Sequence, residues 1–407
     1  MKDVTTLAAA GDSVSSCPFV HFEDLHRDDR LAALQHFQVL DDLREQAPVF
    51  FGEANGNEFW MPTRMAEIRE IMQNPTVYSN SSIMVENPDP PYMWIPEMLD
   101  APLHTKWRQL LAPYFSPAAV AQLRPMVERR AEEIFDDVAG RGGCEFVTDV
   151  ALRFPNTIFM EMAGLPVSEW SRFMDWERAV LHSGQAGVGE SLEAMHEVTT
   201  YFAELIAQRR ENPRDDIISA SAAFEIDGEP VSDDDLLALW LLLFQAGLDT
   251  VASQFTYAIY HLATNDDDRR RLVADLSLVP GAVEEFLRYY SFVPPGRKIV
   301  HDTVLAGCPV KAGQMVYLPL SSANRDENEF HDASKFVLDR QANRHIAFGA
   351  GPHRCLGSHL AREELCIGLT YWLTRIPDFR LVEGVELVEH GGMYGLDQLP
   401  LEWNVSA

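Results

Sequence analysis

The chain has 407 residues, 46% hydrophobic and 23% charged, which is the composition of a globular protein and excludes a disordered or fibrous one. Lys and Arg total 33 against 62 Asp and Glu, a formal net charge of −29 that argues against nucleic acid or an anionic membrane as partner. The five cysteines (Cys17, Cys144, Cys308, Cys355, Cys366) are odd in number, widely spaced and without a CxxC, which predicts a reducing compartment and no disulfide framework.

In chain order, the N-terminus MKDVTTLAAAGDSVSSC lacks an apolar core behind a basic start, so no signal peptide and a cytoplasmic location are expected. Residues 1–15 are small and polar and are expected to be flexible, leaving 16–407 as one domain. Strand-like pieces follow at Ala47–Gly52 and Asn57–Pro62. From about Pro117 the pattern turns helical: PAAVAQLRPMVERRAEEIFDDVAG carries apolar residues at helical spacing and stops on glycine. Ser232 to Thr264 reads as one long helix, with Ser232 as N-cap and three aspartates at its positive end. Its longest apolar run, Leu236 to Phe244, is too short to span a bilayer. After Pro294, RKIVHDTVLAGCPVKAGQMVYLPLS alternates with glycine punctuation, the mark of strands. A helix follows Cys355, and a β-like tail closes the chain. The predicted fold is mainly α with a minor β part, undivided by linkers or repeats.

Two features sit oddly in this frame. The long helix is apolar nearly all round, yet its centre holds Gln245, Gly247, Asp249 and Thr250. Asp249 either bonds a neighbouring element or belongs to a helix locally opened beside a cavity, poised to move protons. The second feature is FGAGPHRCLG, Phe348–Gly357. A lone cysteine is commonly a packing residue. Here three glycines allow close approach, a helix start and two basic residues favour a thiolate, and a zinc site would need more ligands nearby. A single thiolate on haem iron fits better.

FGAGPHRCLGSHLAREE resembles the signature of the cytochromes P450, the haem-thiolate monooxygenases: Phe-Gly-x-Gly-x-His/Arg-x-Cys-x-Gly, with every fixed position present. Glu285-Phe286-Leu287-Arg288 is similar to the family's Glu-x-x-Arg, and Ala246–Thr250 to its oxygen-activating helix motif. The resemblance implies a single-domain P450 fold with haem b (iron protoporphyrin IX) between the long helix and the cysteine loop. Cys355 would be the metal ligand, with Phe348 and Gly349 beside it and Gly351 keeping the loop tight. His104, Arg108, Arg297 and His353 resemble the residues that hold the haem propionates, with His345 at the edge. Glu285 and Arg288 would be structural. Asp249 and Thr250 would be the acid–alcohol pair that delivers protons to O2.

A closer likeness, to the camphor-hydroxylating branch and its terpenoid-oxidising relatives, lies in Tyr92–Pro102, Phe244–Val251 and Leu373–Phe379. It implies a pocket for a small hydrophobic substrate lined by Tyr92, Trp94, Phe244, Gln245, Ala246, Val293, Met393 and Tyr394. Tyr92 is then either a hydrogen-bond handle or plain packing. Pro295 stands where that branch has an aspartate. Gln245, Phe244 and Tyr394 depart from its pocket, which shifts the expected substrate from camphor to another oxygenated or aromatic hydrophobe. No flavin or iron–sulfur module is evident, so the electrons would come from a separate ferredoxin and ferredoxin reductase. That partner would dock by Lys106, Arg108 and Arg354, and the enzyme would be a monomer. A peroxide-driven peroxygenase and a non-catalytic haem sensor are the alternatives. DDLRE (Asp41–Glu45) imitates a magnesium-binding motif of isoprenoid cyclases but sits in a surface-helix pattern.

Overall fold

The computed structural model describes residues 17–25, 31–181, 188–390 and 394–405. The expected flexibility of residues 1–15 lies outside the described residues. Helices carry most of the chain, and a six-stranded mixed sheet lies beside them. Its strands run in the order Phe19–His21, Val49–Ala54, Asn57–Pro62, Met315–Tyr317, Gly296–Ile299 and Tyr78–Ser79. Val49–Ala54 and Asn57–Pro62 form a hairpin turned at Asn55 and Gly56, which have φ of 50° and 80°. Met315–Tyr317 joins that hairpin in parallel and pairs with Gly296–Ile299 antiparallel. The strands predicted near residue 50 and those predicted after Pro294 thus meet in one sheet.

The start of this sheet overturns one expectation. Cys17, just ahead of the first strand, is joined by a disulfide to Cys308 in the small hairpin Thr303–Leu305 and Cys308–Val310. A separation of 291 residues hides the pairing from any reading of cysteine spacing, because only the folded chain brings the two thiols together.

The central segment is also not one unbroken helix. It runs as Asp233–Leu248 and Thr250–Thr264, with Asp249 between them at φ −99° and ψ −34°. Ser232 caps it as expected, its hydroxyl accepting from the Asp235 N–H at 3.1 Å. Residues 233–264 together are long and apolar enough to cross a bilayer, longer than the run Leu236–Phe244 suggested. In the fold, however, they run through protein. Leu236, Leu239, Trp240, Phe244 and Leu248 are buried in one apolar cluster, and Ala252, Phe255, Ile259 and Leu262 in another. Gly247 has a packing reason: a Cβ there would come 2.8 Å from the Phe159 ring, on the neighbouring helix Arg153–Ala163.

One buried charge cluster ties the helices to the loops that follow. Glu285 and Arg288, on the helix Val279–Tyr289, are fully buried and share two hydrogen bonds of 2.8 and 2.7 Å. Arg340 reaches both Glu285 oxygens at 3.1 and 3.0 Å, and the Val337 N–H and Asn343 Nδ2 complete its shell. Arg288 also donates to the carbonyls of Asn324, Ala333 and Lys335, each at 2.8 Å. The Asp41–Glu45 motif belongs to a second such cluster: Asp41 pairs with Arg44 and Arg325, and no metal-ligand group occurs among the described residues.

Removing one member of the first cluster leaves its partners buried and unpaired. Arg288→Ala is expected to lower the unfolding free energy by about 3–5 kcal/mol, seen as a drop in the urea midpoint. A loss below about 1 kcal/mol would mean that water replaces the guanidinium and that the cluster does not hold the fold.

Candidate active site

The loop Phe348–Gly357 is shaped by two glycines. Gly349 and Gly351 each have φ of 72°, and a Cβ on Gly351 would collide with the Met72 carbonyl. Glycine therefore lets the loop lie against the end of the helix Met65–Gln73. The Cys355 N–H donates to the Phe348 carbonyl at 2.8 Å, closing the loop on itself. The Cys355 thiol is free and accessible, yet protein surrounds it. That burial raises its pKa, while a hydrogen bond from the Gly357 backbone pulls the other way, towards the thiolate. Phe348 lies under the guanidinium of Arg362, 4.5 Å from the ring centroid.

Beside the loop is a cluster rich in donors. His104 and Arg108 share one face of the helix Leu103–Phe115, as their i,i+4 spacing predicts. The His104 ring stacks on His353 with centroids 3.8 Å apart, and both rings are buried. Arg297 is 2% exposed and donates to the Gly296 carbonyl at 2.6 Å; Arg108 donates to the Arg354 carbonyl at 2.9 Å. Glu97 attracts both guanidiniums through space, and among the described residues neither makes an ion pair. His353 Nδ1 is buried without a hydrogen-bond partner among the described residues. Burial, and then the neighbouring positive charges, hold His104 down to about 4 and His353 down to about 2. Both imidazoles are therefore neutral at neutral pH. Two guanidiniums and two imidazoles facing a shortage of carboxylates form a donor set for a group with two acidic arms.

The central helix break packs into the same apolar clusters as the cysteine loop. Thr250 Oγ1 donates to the Ala246 carbonyl at 3.0 Å. Asp249 is 3% exposed; its Oδ1 accepts from Ser253 Oγ at 3.4 Å, and its Oδ2 has no hydrogen-bond partner among the described residues. Leu356 packs into the cluster of Phe244 and Leu248, while Phe348 and Val293 pack into the cluster of Ala252. The cysteine loop and the break therefore face the same two clusters. Ala246 is exposed although its neighbours in this segment are buried or half-buried.

The remaining predicted pocket residues divide. Phe244 is buried against Phe173 and Phe202, and half-buried Gln245 has an Oε1 with no partner among the described residues. Tyr92 stacks on Trp94 at 5.2 Å, and its hydroxyl reaches only the Met84 sulfur at 3.6 Å. Tyr394 is placed elsewhere: its ring stacks on His36 at 3.8 Å, within the cluster of Phe37 and Tyr257. Met393 lies outside the described residues.

Sequence reading missed two acids. Glu364 is 3% exposed on the helix Ser358–Arg375, and burial raises its pKa well above the ordinary carboxyl range. Its signal was there in the spacing, since it shares the buried face of Leu360 and Ile367 at i−4 and i+3. Glu97 is raised too, by burial offset in part by Arg297 and Arg108. Nothing in its loop sequence marks it.

A cytochrome P450 family profile matches residues 168–381. A probable cytochrome P450 127A1 of Sinorhizobium fredii is 33% identical, over 88% of this chain and 87% of that one. A mycinamicin IV hydroxylase/epoxidase of Micromonospora griseorubida is 32% identical over 86% and 90%. The chain belongs to the cytochrome P450 family. The crystal structure of CYP101J2 superposes with a TM-score of 0.87 at 28% identity, covering 98% of this chain and 100% of that one. This P450 is a haem-dependent monooxygenase, and its helical fold with a minor sheet is the family's. The acid-poor donor set and the accessible thiol fit iron protoporphyrin IX with its two carboxylates.

In this P450 His345 does not join the His104–His353 cluster, where its position in sequence suggested it. Its Nε2 meets Glu284 at 3.0 Å, and Arg362 holds the same carboxylate at 2.6 and 2.9 Å. Burial alone would raise Glu284, but the bonds from His345 and Arg362 outweigh it and hold the carboxyl down to about 2. A carboxyl depressed in the fold adds stability that is complete above its unfolded range and lost as pH falls towards its folded value. Glu284→Gln should therefore cost about 1–2 kcal/mol at neutral pH. The gap to the unmutated enzyme should narrow from about pH 5 downwards and close only near pH 2 in thermal melts. A gap that persists at the acid end would assign the loss to packing instead.

Proposed function

We propose that Cys355 is the iron ligand of this P450 and that the enzyme hydroxylates a small hydrophobic molecule carrying an oxygen or aromatic handle, of the terpenoid kind. One observation carries the first half: an enclosed but accessible thiol beside two guanidiniums, buried Arg297 and half-buried Arg108, that make no ion pair among the described residues. Cys355 would hold haem by its sulfur, with Phe348 and Gly349 in the same loop beside it. Arg297, Arg108, His104 and His353 would hold the two carboxylates. Haem bound in this way activates O2, and a thiolate ligand favours O–O cleavage.

The chain's own residues move the protons. The Thr250 hydroxyl donates to the Ala246 carbonyl, which leaves its oxygen free to accept a hydrogen bond. Asp249, buried next to it in the break, is the acid that supplies it. Ala246 and Val293 form the apolar wall of the substrate site, with Phe244 packed behind the helix on Phe173 and Phe202. Gln245 and Tyr92 offer it an amide and a hydroxyl, and Trp94 braces Tyr92. Tyr394 is committed to His36 and has no part in this reading. A ferredoxin, with its reductase, is the proposed electron donor. Exposed Arg354 is its contact on the cysteine side, whereas Arg108 is given to the haem carboxylates and Lys106 already pairs with Asp227.

Cys355→Ser tests the ligand. The variant is expected to lose the red-shifted Soret band of a thiolate-ligated ferrous carbon monoxide complex and to lose turnover; retention of that band would move the ligand to another residue. Tyr92→Phe tests the handle. It should weaken binding of an oxygenated terpenoid about 3- to 10-fold in a titration of the spin-state shift while leaving a hydrocarbon analogue unaffected. Equal affinities for the oxygenated ligand would reduce Tyr92 to packing.

A further inference from the structure

A cavity of about 210 Å³ lies at the break, lined by Asp249, Ser253, Glu177, His390 and Asp397 among others. Asp249 is nine-tenths buried, and its Oδ2 has no hydrogen-bond partner among the described residues. Ser253, one turn on, donates to Asp249 Oδ1 at 3.4 Å. The strand pair Val388–His390 and Gly395–Leu396 closes another side. There His390 Nδ1 meets Asp397 Oδ1 at 2.8 Å, which orients the ring. A Cβ on Gly395 would lie 2.8 Å from both His390 Nε2 and Ser253 Oγ, so the two atoms face each other across the missing side chain, within the span of one water. His390 and Asp397 keep 14% and 20% of their side chains exposed. The row therefore runs from solvent to the buried acid.

We propose that His390, held by Asp397, is the proton inlet of this enzyme, passing solvent protons through Ser253 to Asp249. The proposal rests on the reading of Asp249 and Thr250 as the proton-delivering pair. Monooxygenation consumes protons as well as electrons, and a buried acid that has given up its proton must be recharged from outside. In each pass His390, its Nδ1–H kept on Asp397, takes a proton from water at Nε2 and gives it up from the same nitrogen. The Ser253 hydroxyl accepts that proton as it donates its own to Asp249, so no net charge builds up along the row. Glu177 and exposed Arg178, from the helix Trp170–Leu181, face the same cavity, and their charges bias the transfer. Gly395 is then a specificity of this relay: a side chain there would close the gap.

The test compares holoenzymes that retain the ferrous carbon monoxide spectrum and the unmutated melting temperature. His390→Gln is expected to lower kcat about 3- to 10-fold at unchanged KM and to remove an inflection in log kcat against pH. It should also divert electrons from product to peroxide. Added imidazole should restore turnover in His390→Ala. Gly395→Ala, which keeps both partners but fills the gap, should reproduce the Gln phenotype. Apart from turnover, the Cε1–H proton resonance of His390 should move when Asp249→Asn removes the acid's charge. The relay is overturned if His390→Gln keeps both kcat and the inflection while Asp249→Asn loses turnover, an outcome that leaves the acid–alcohol reading standing. A kcat loss in His390→Ala that imidazole does not restore also overturns it, as a purely structural effect. Full turnover in Asp249→Asn removes the acid–alcohol reading itself.

Discussion

Glu285 is a carboxylate with no access to water, and the shape of the site depends on how its charge is met. Two guanidiniums, a backbone N–H and an amide satisfy it, and Arg288 spends its remaining donors on three carbonyls of the segment 324–335. Such a cluster costs desolvation and adds little net stability compared with apolar packing. What it fixes is position. Asn324 receives the guanidinium on its carbonyl and accepts from the Ile346 N–H at 2.8 Å on its side chain. The chain thus enters the cysteine loop at a point held to a core helix, and it leaves the loop through the helix Ser358–Arg375, which packs on that same helix. Glu284, the preceding residue, reaches His345 and Arg362 on either side of the loop. Two adjacent carboxylates on one helix therefore set where the Cys355 sulfur sits.

Charge is segregated across this molecule. The surface is strongly acidic, with 62 acids against 33 bases overall, yet the space beside Cys355 collects Arg297, Arg108, His104 and His353. A buried guanidinium without an ion pair, as at Arg297, is costly, and the two imidazoles stay neutral. A ligand with two carboxylates removes that cost, so its binding energy contributes to the stability of the fold. Glu97 and Asp100 hold part of the balance from the side, close enough to be felt at Arg297.

Local chemistry made much of this legible in the sequence. The glycines of FGAGPHRCLG, the Ser232 cap and the i,i+4 pair His104 and Arg108 each state a backbone or helical-face requirement within a few residues. Long-range closure was not legible. The Cys17–Cys308 disulfide, Tyr394 on His36 and His345 on Glu284 join positions whose proximity is a product of the folded sheet and helices. Glycine at 247 looked like a cost within a helix and proved to be clearance for Phe159, a partner from another element. Glu364 was readable as one residue on a buried face, but an acid there looked like any solvated Glu until its surroundings were known.

The break at Asp249 joins these strands of argument. An unbroken helix would satisfy every backbone group and leave no reason for an acid to stay in an apolar core. With the regular turn relaxed at one residue, consecutive side chains about 100° apart point to different surroundings. Thr250 stays on the side of Ala246, and Asp249 turns to the cavity shared with Ser253. Gly247 lets this segment lie directly on Phe159, so the side away from the cavity is packed. In the proposed reading a proton reaches the oxygen-binding face through this acid, while an apolar substrate on that face remains shielded from bulk solvent.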